Sequence, residues 1–202
     1  MIKLYWCPRT RASRALWLLE EAGVEYERVL IDVRNPADRQ NTEFLAASPM
    51  CKVPALVDGE ARLADSTAIS LYIADRYPES GLAPAIGDAK RAEYCFWMVF
   101  APGYMEPAMA EKFAGWESNR GVHGWGDFNS MIARLEQGLE GREWILGDKF
   151  SAADVMIGSS VYFMRVFGAM PDSAILNAYA DRCIARPAYA KALAADAEAA
   201  ES

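Results

Sequence analysis

The sequence predicts an α/β domain followed by an all-helical one, and three observations carry that prediction. Strand-like and helix-like segments alternate through residues 1–77. A stretch rich in breakers, Pro78-Glu79-Ser80-Gly81-Leu82-Ala83-Pro84, then interrupts the pattern, and only helix-period segments follow it. The order before the break is β-α-β-α-β-β-α. Two strands joined through a helix are expected to be parallel, and a hairpin adds an antiparallel edge. The expected architecture is a four-stranded mixed sheet with three helices in residues 1–78, a linker at 79–88, and a helical bundle over 89–202.

Each element has its own signal. Ile2-Lys3-Leu4-Tyr5-Trp6 reads as a strand and Cys7-Pro8-Arg9-Thr10 as a turn. A helix over 11–22 places Ala12, Ala15, Leu16, Leu19 and Ala22 on one stripe, with Gly23 just past its end, where a left-handed residue belongs. A second strand spans 26–31, and a short helix is expected around 42–46. Two apolar runs flank Asp58-Gly59, a dipeptide suited to a tight hairpin turn. A helix over 66–77 then turns Ile69, Tyr72, Ile73 and Tyr77 inward. Beyond the linker, helices are expected at 90–109 with a kink at Pro102-Gly103, then at 128–141, 155–164, 173–185 and 188–199. Ser151-Ala152-Ala153-Asp154 forms a capping box, and the uncharged helix after it belongs at the centre of its domain. Residues 111–126 are Gly-rich and read as a long connection containing an exposed His123.

Composition narrows the function. Half of the 202 residues are apolar, and the net charge is −7. Residues 1–78 hold 10 basic and 11 acidic side chains, against 11 and 17 beyond, so the acidity lies in the helical part. An acidic chain with no long basic run argues against nucleic acid or an anionic membrane as partner. The four cysteines are scattered and there is a single histidine, so no metal site is expected. The longest uncharged run near a helix, residues 94–105, is too short to span a bilayer. The reading is a cytoplasmic protein with free thiols.

The densest signal lies in residues 51–66. Val53-Pro54 introduces a bend, and Asp65-Ser66 stands before an apolar-periodic run in the manner of a helix start. A carboxylate and a hydroxyl at a helix N-terminus can hold a small zwitterion. Lys52-Val53-Pro54-Ala55-Leu56, Asp65-Ser66 and Phe150-Ser151-Ala152-Ala153-Asp154, in this order and spacing, resemble the cytosolic glutathione S-transferases of bacterial type. The resemblance covers essentially the whole chain. It implies a thioredoxin-like N-terminal domain, a cis peptide bond before Pro54, a homodimer, and conjugation of glutathione as co-substrate to a small hydrophobic electrophile in detoxification.

The resemblance also implies roles. Val53 and Pro54 offer backbone to the tripeptide, Lys52 meets one of its carboxylates, and Asp65 with Ser66 hold its γ-glutamyl end. With an anionic tripeptide to hold, Arg9 or Arg11 is a further expected contact, Arg11 being the one taken as a binding residue. Asp65 stands where the family commonly has Glu or Gln. Thiol activation belongs at the start of the first helix. Aligned there, the beta-class cysteine falls on Arg11, and the zeta-class Ser-rich motif overlies residues 9–12, where Thr10 is the hydroxyl. Tyr5 falls on the tyrosine of the pi, alpha and mu classes. Thr10 ranks first, Tyr5 second and Ser13 third as activating group. Cys7-Pro8 also resembles a glutaredoxin or omega-class motif, so thiol–disulfide exchange through Cys7 is the alternative, and a non-catalytic binding protein of the same fold is a third reading. Phe100, Tyr104 and Met105, with Trp6, are the residues expected to line the electrophile pocket.

Overall fold

The computed structural model describes residues 1–201, with side chains to Ala199. It divides into two compact units: Met1–Leu82 together with the segment from Ala185 onward, and Ala83–Ile184.

In the first unit, β1 (Ile2–Trp6) pairs in parallel with β2 (Tyr26–Leu30) and antiparallel with β3 (Ala55–Asp58), and β3 pairs antiparallel with β4 (Ala61–Ala64). The sheet order is β2-β1-β3-β4, the expected mixed sheet. Gly59 takes φ +60 in the hairpin turn, a conformation that costs glycine little. Helix α1 (Ala12–Ala22) ends at Gly23 with φ +65, whose N–H bonds to the Glu20 carbonyl. Helix α2 (Thr42–Ala47) starts at Asn41, whose side chain accepts from the Phe44 N–H. It closes one face of the sheet, its Phe44 joining the cluster of Tyr5, Ile31, Ala55 and Val57. Helix α3 (Ser66–Arg76) packs on α1.

The second unit contains α4 (Lys90–Phe100), α5 (Glu106–Ala114), α6 (Phe128–Leu139), α7 (Ala152–Val166) and α8 (Ala174–Ile184). The expected kink at Pro102 is a π-helical turn over Ala101–Met105, where the missing proline N–H interrupts the i→i−4 ladder. Helix α7 is buried nearly all round and packs against α4 and α8. The Asp154 carboxylate accepts from the Ser151 N–H at 2.9 Å, completing the capping box.

Two differences from the sequence expectation stand out. The last helix, α9 (Pro187–Glu201), groups with the sheet unit instead of the helices that precede it. It packs along α1, where Arg186 pairs with Glu21 at 2.5 and 2.7 Å and Tyr189 meets Trp17 edge-on. Its alanine-rich sequence gave no sign of this, because small side chains permit close helix approach without announcing a partner. His123 is also no simple exposed loop residue. Its ring is stacked on Trp125 at 4.5 Å, and Nδ1 lies 2.9 Å from the buried carboxylate of Glu111.

Candidate functional site

Strand register assembles the site. Ala55 pairs with Tyr5 on one side and with Ala64 on the other. The segments just beyond these residues, Cys7-Pro8, Val53-Pro54 and Asp65-Ser66, therefore meet at one end of the sheet. Helices α1 and α3 both start there, so the positive ends of two helix dipoles serve the same place and favour an anionic ligand.

The Val53–Pro54 peptide bond is cis. Among the described residues, neither the N–H nor the C=O of Val53 is engaged in a hydrogen bond. The loop before it is stapled by the buried Ser48. Its hydroxyl donates to the Lys52 carbonyl at 2.8 Å and accepts from the Lys52 N–H at 2.9 Å. Lys52 itself is exposed.

Asp65 caps α3, its carboxylate accepting from the N–H groups of Thr67 at 2.7 Å and Ala68 at 3.2 Å. It does so at φ +80, a rarely populated conformation for a non-glycine residue, of the kind that concentrates at functional sites. The side chain stays exposed, so cap and ligand contact are compatible. Ser66 is buried, and Arg14 donates to its Oγ from α1 at 3.5 Å. A buried arginine needs polar partners. Arg14 ties the two helix starts together, and the sequence reading passed over both Arg14 and Ser48. Arg14 lies off the stripe formed by Ala12, Ala15, Leu16 and Leu19, so helical periodicity did not announce its burial.

The expected activating groups fare differently. Tyr5 faces the α2 side of the sheet, 1% exposed and packed on Phe44. Its hydroxyl lies near Glu43 without hydrogen-bond geometry, and burial drives its pKa well up. This corrects the expectation for Tyr5: strand alternation turns it away from the helix start. Thr10 is at the helix start, but its hydroxyl donates to the Cys7 carbonyl at 2.7 Å and accepts from the Ala12 N–H at 3.2 Å. Ser13 donates to the Thr10 carbonyl at 3.0 Å. Arg11 occupies the N-cap position of α1 and is exposed.

Cys7 is buried, and burial, followed by the Asp32 carboxylate, raises its thiol pKa against the opposing effect of Arg34. Disulfide exchange needs a thiolate, so this environment disfavours the redox alternative. A cavity of about 450 Å³ opens beside Cys7, Arg9 and Thr10 toward Asp32 and Arg34, and no residue of the 52–66 segment lines it. Phe100 and Met105, expected in an electrophile pocket, are core side chains of their own unit. Tyr104 stacks on Phe100 at 5.0 Å. Trp6 is likewise buried in the sheet unit. Aromatic residues at helical spacing served packing here. Among the described residues, no group of three or more His, Cys, Asp or Glu is placed to hold a metal ion, and no helix is long and apolar enough to cross a membrane.

Comparison with known proteins fits this geometry. The family model described as glutathione S-transferase, N-terminal domain, matches residues 1–75, and that described as glutathione S-transferase, C-terminal domain, matches residues 106–183. Glutathione S-transferase 3 of Zea mays is 36% identical over 109 residues, covering 52% of this chain and 48% of the relative, so the chain spans about half of that protein's length. The structure of a sphingomonad glutathione S-transferase complexed with glutathione is 32% identical, with a TM-score of 0.77, covering 96% of this chain and 98% of the other. A glutathione transferase from Methylococcus capsulatus strain Bath is 26% identical with a TM-score of 0.82, covering 98% of this chain and all of that one. Both domain models match in their family order, and the sphingomonad relative aligns over nearly its full length. The chain belongs to the glutathione S-transferase family.

Proposed function

We propose that this protein conjugates reduced glutathione to a small hydrophobic electrophile. The observation that carries the reading is the convergence of Val53-Pro54, Ser66 and two helix N-termini at one end of the sheet. The Val53 N–H and C=O pair with the tripeptide backbone as an edge strand would. The γ-glutamyl carboxylate meets the Ser66 hydroxyl and backbone N–H at the start of α3, its ammonium meets Asp65, and Lys52 attracts the glycine carboxylate. The sulfur then lies at the start of α1.

A free thiol of this kind has a pKa of about 8.5, so lowering it by two units needs about 2.7 kcal/mol of thiolate stabilisation. The thiol proton leaves to solvent. The thiolate attacks the electrophilic carbon, a C–S bond forms, and a leaving group departs with its electron pair or an addition product takes a proton from water. Holding both reactants supplies the rest of the rate. The reading includes a homodimer in the cytoplasm, with residues 1–78 as the glutathione-binding domain.

Retention on immobilised glutathione and a calorimetric titration test it. Ser66→Ala removes a hydrogen bond to a charged group, about 1.5–3 kcal/mol, and so weakens glutathione binding roughly 10- to 100-fold. A wild-type protein that neither binds glutathione nor conjugates an aryl halide overturns the proposal, as does a Ser66→Ala variant with unaltered affinity.

A further inference from the structure

We propose that Asp196 is a positioning residue for the thiol step: its carboxylate holds the backbone of Arg9 and so fixes how the chain enters α1. This rests on the proposed glutathione site. It goes beyond that reading by naming a residue, from the far end of the chain, that sets the sulfur end of the site.

Both Asp196 oxygens accept from the Arg9 N–H, at 3.0 and 3.2 Å. A backbone N–H given to a carboxylate makes a charge-assisted hydrogen bond, stronger than a neutral one. Arg9 needs that support. It stands at φ +57, in the left-handed region. A non-glycine residue pays for that conformation and keeps it only where the surroundings impose it.

The course of α9 explains how residue 196 arrives there. Near its start, Arg186 pairs with Glu21, Tyr189 meets Trp17, and Lys191 lies 3.7 Å from Glu20. These contacts fall in the later part of α1, whereas Asp196, further along α9, lies beside Arg9 ahead of the first turn of α1. The two helices therefore run antiparallel. Helix α9 is a strut anchored on the end of α1 that delivers a carboxylate to its beginning.

The loop it holds is the one the chemistry uses. Cys7-Pro8-Arg9-Thr10 joins β1 to α1. The Thr10 hydroxyl closes this turn locally by donating to the Cys7 carbonyl at 2.7 Å, and Asp196 holds it from another element. The same four residues and Ala199 of α9 line the cavity of about 450 Å³. A thiolate at the start of α1 is favoured by the positive end of the helix dipole, an effect confined to the first turn. Moving the loop therefore misplaces the stabilising potential relative to sulfur. The frame that holds the rest of the tripeptide, Val53, Asp65 and Ser66, lies on other segments, and none of these residues lines that cavity. Loss of the hold is thus a loss in kcat and not in the KM for glutathione. The charge of Asp196 acts in the opposite sense, since a carboxylate near sulfur disfavours a thiolate. Position and charge are therefore separable by sign.

The test measures kcat and the glutathione KM with an aryl halide in wild type, Asp196→Ala and Asp196→Asn. Amide exchange at Arg9, read by NMR without glutathione, runs alongside, and circular dichroism checks folding. Asparagine keeps an acceptor oxygen and drops the charge. In Asp196→Ala, kcat is expected to fall about fivefold, as a misplaced helix dipole implies, with KM changed less than about twofold. Arg9 exchange accelerates about tenfold or more. Asp196→Asn recovers most of both losses. Asp196→Ala is then repeated in Arg9→Gly and Arg9→Ala backgrounds. Glycine takes a positive φ without help, so the kcat loss shrinks with glycine and persists with alanine. An unchanged kcat or unchanged Arg9 exchange in Asp196→Ala overturns the proposal. So does an Asp196→Asn variant as impaired as Asp196→Ala, an equal loss in both Arg9 backgrounds, or an unfolded Asp196→Ala, which makes the residue a stability contact. Wild-type protein that neither binds glutathione nor conjugates the aryl halide refutes instead the underlying functional reading, and Arg9 exchange still decides whether Asp196 holds the loop.

Discussion

Asp154→Ala perturbs the most heavily bonded carboxylate of the helical unit. Asp154 is fully buried, and its two oxygens accept from the Ile145 N–H at 2.8 Å, the Tyr179 hydroxyl at 2.8 Å, the Ser151 N–H at 2.9 Å and the Ser151 hydroxyl at 3.0 Å. One side chain thus joins the loop before α7, the cap of α7 and the middle of α8. Alanine orphans three donors directly, and the Ser151 hydroxyl can rotate to another acceptor. At about 1–3 kcal/mol per buried unsatisfied donor, softened where water enters, the loss is about 3–5 kcal/mol. That is a large share of a typical total of about 5–15 kcal/mol. At a slope of about 2–3 kcal/mol per molar urea, the midpoint falls by about 1–2 M. Urea melts followed by tryptophan fluorescence read this, since Trp144 lies 6.4 Å from the Tyr179 ring. Asp154→Asn keeps one acceptor oxygen and places its NH₂ against the cap donors, so its loss is intermediate.

The pH dependence has a definite sign. Burial raises the Asp154 pKa to about 6 even though the donors around it favour the ionised form. The unfolded value is about 3.9. Between these values the folded state holds a proton that the unfolded state releases, so the contribution of this group to stability falls as pH rises from about 4 to 6 and is level above that. The stability of wild type relative to Asp154→Asn follows this course. An Asp154→Ala variant within 1 kcal/mol of wild type refutes the reasoning, because the carboxylate is then not what joins these three segments.

Gly138→Ala gains about 1 kcal/mol of helix propensity. Its Cβ, however, falls 2.5 Å from the ring of the buried Trp97 and 3.3 Å from Ile145, and overpacking of that kind costs about 1–3 kcal/mol, so thermal melts show net destabilisation. Arg186→Ala leaves Glu21, which also accepts from Trp17 Nε1 at 2.8 Å, without its cation. With the arginine partly exposed, the loss is about 1–3 kcal/mol, and hydrogen exchange accelerates over 187–199 while the sheet stays protected. A thiol reagent at pH 7 modifies the exposed Cys95 first and leaves buried Cys7 and Cys183 until unfolding; equal rates for Cys7 and Cys95 contradict the burial argument for Cys7.

Local patterns were legible wherever one stretch of chain contains its own explanation. The Asp58-Gly59 turn, the Gly23 stop, the Ser151–Asp154 cap and the Pro102 interruption each need only neighbours in sequence. The segments proposed to bind glutathione were legible for the same reason, since Val53-Pro54 and Asp65-Ser66 lie on either side of one hairpin. The activating group was not. Tyr5, Thr10 and Ser13 each offer a hydroxyl in the sequence, and only strand alternation and hydrogen bonding show what surrounds each of them. Tyr5 went to the α2 face, and Thr10 and Ser13 spent their hydroxyls on backbone carbonyls.

Sequence alone therefore determined the order of elements, the mixed sheet and the backbone frame of the site, because propensity, turn chemistry and short-range register act over a few residues. Tertiary structure decided that α9 lies on α1, that Arg14 reaches Ser66 from another helix, and that Glu111 gathers His123 and Trp125. Those contacts join residues 12 to 165 or more positions apart, and which partner a buried charge finds is set by packing geometry that no local pattern encodes.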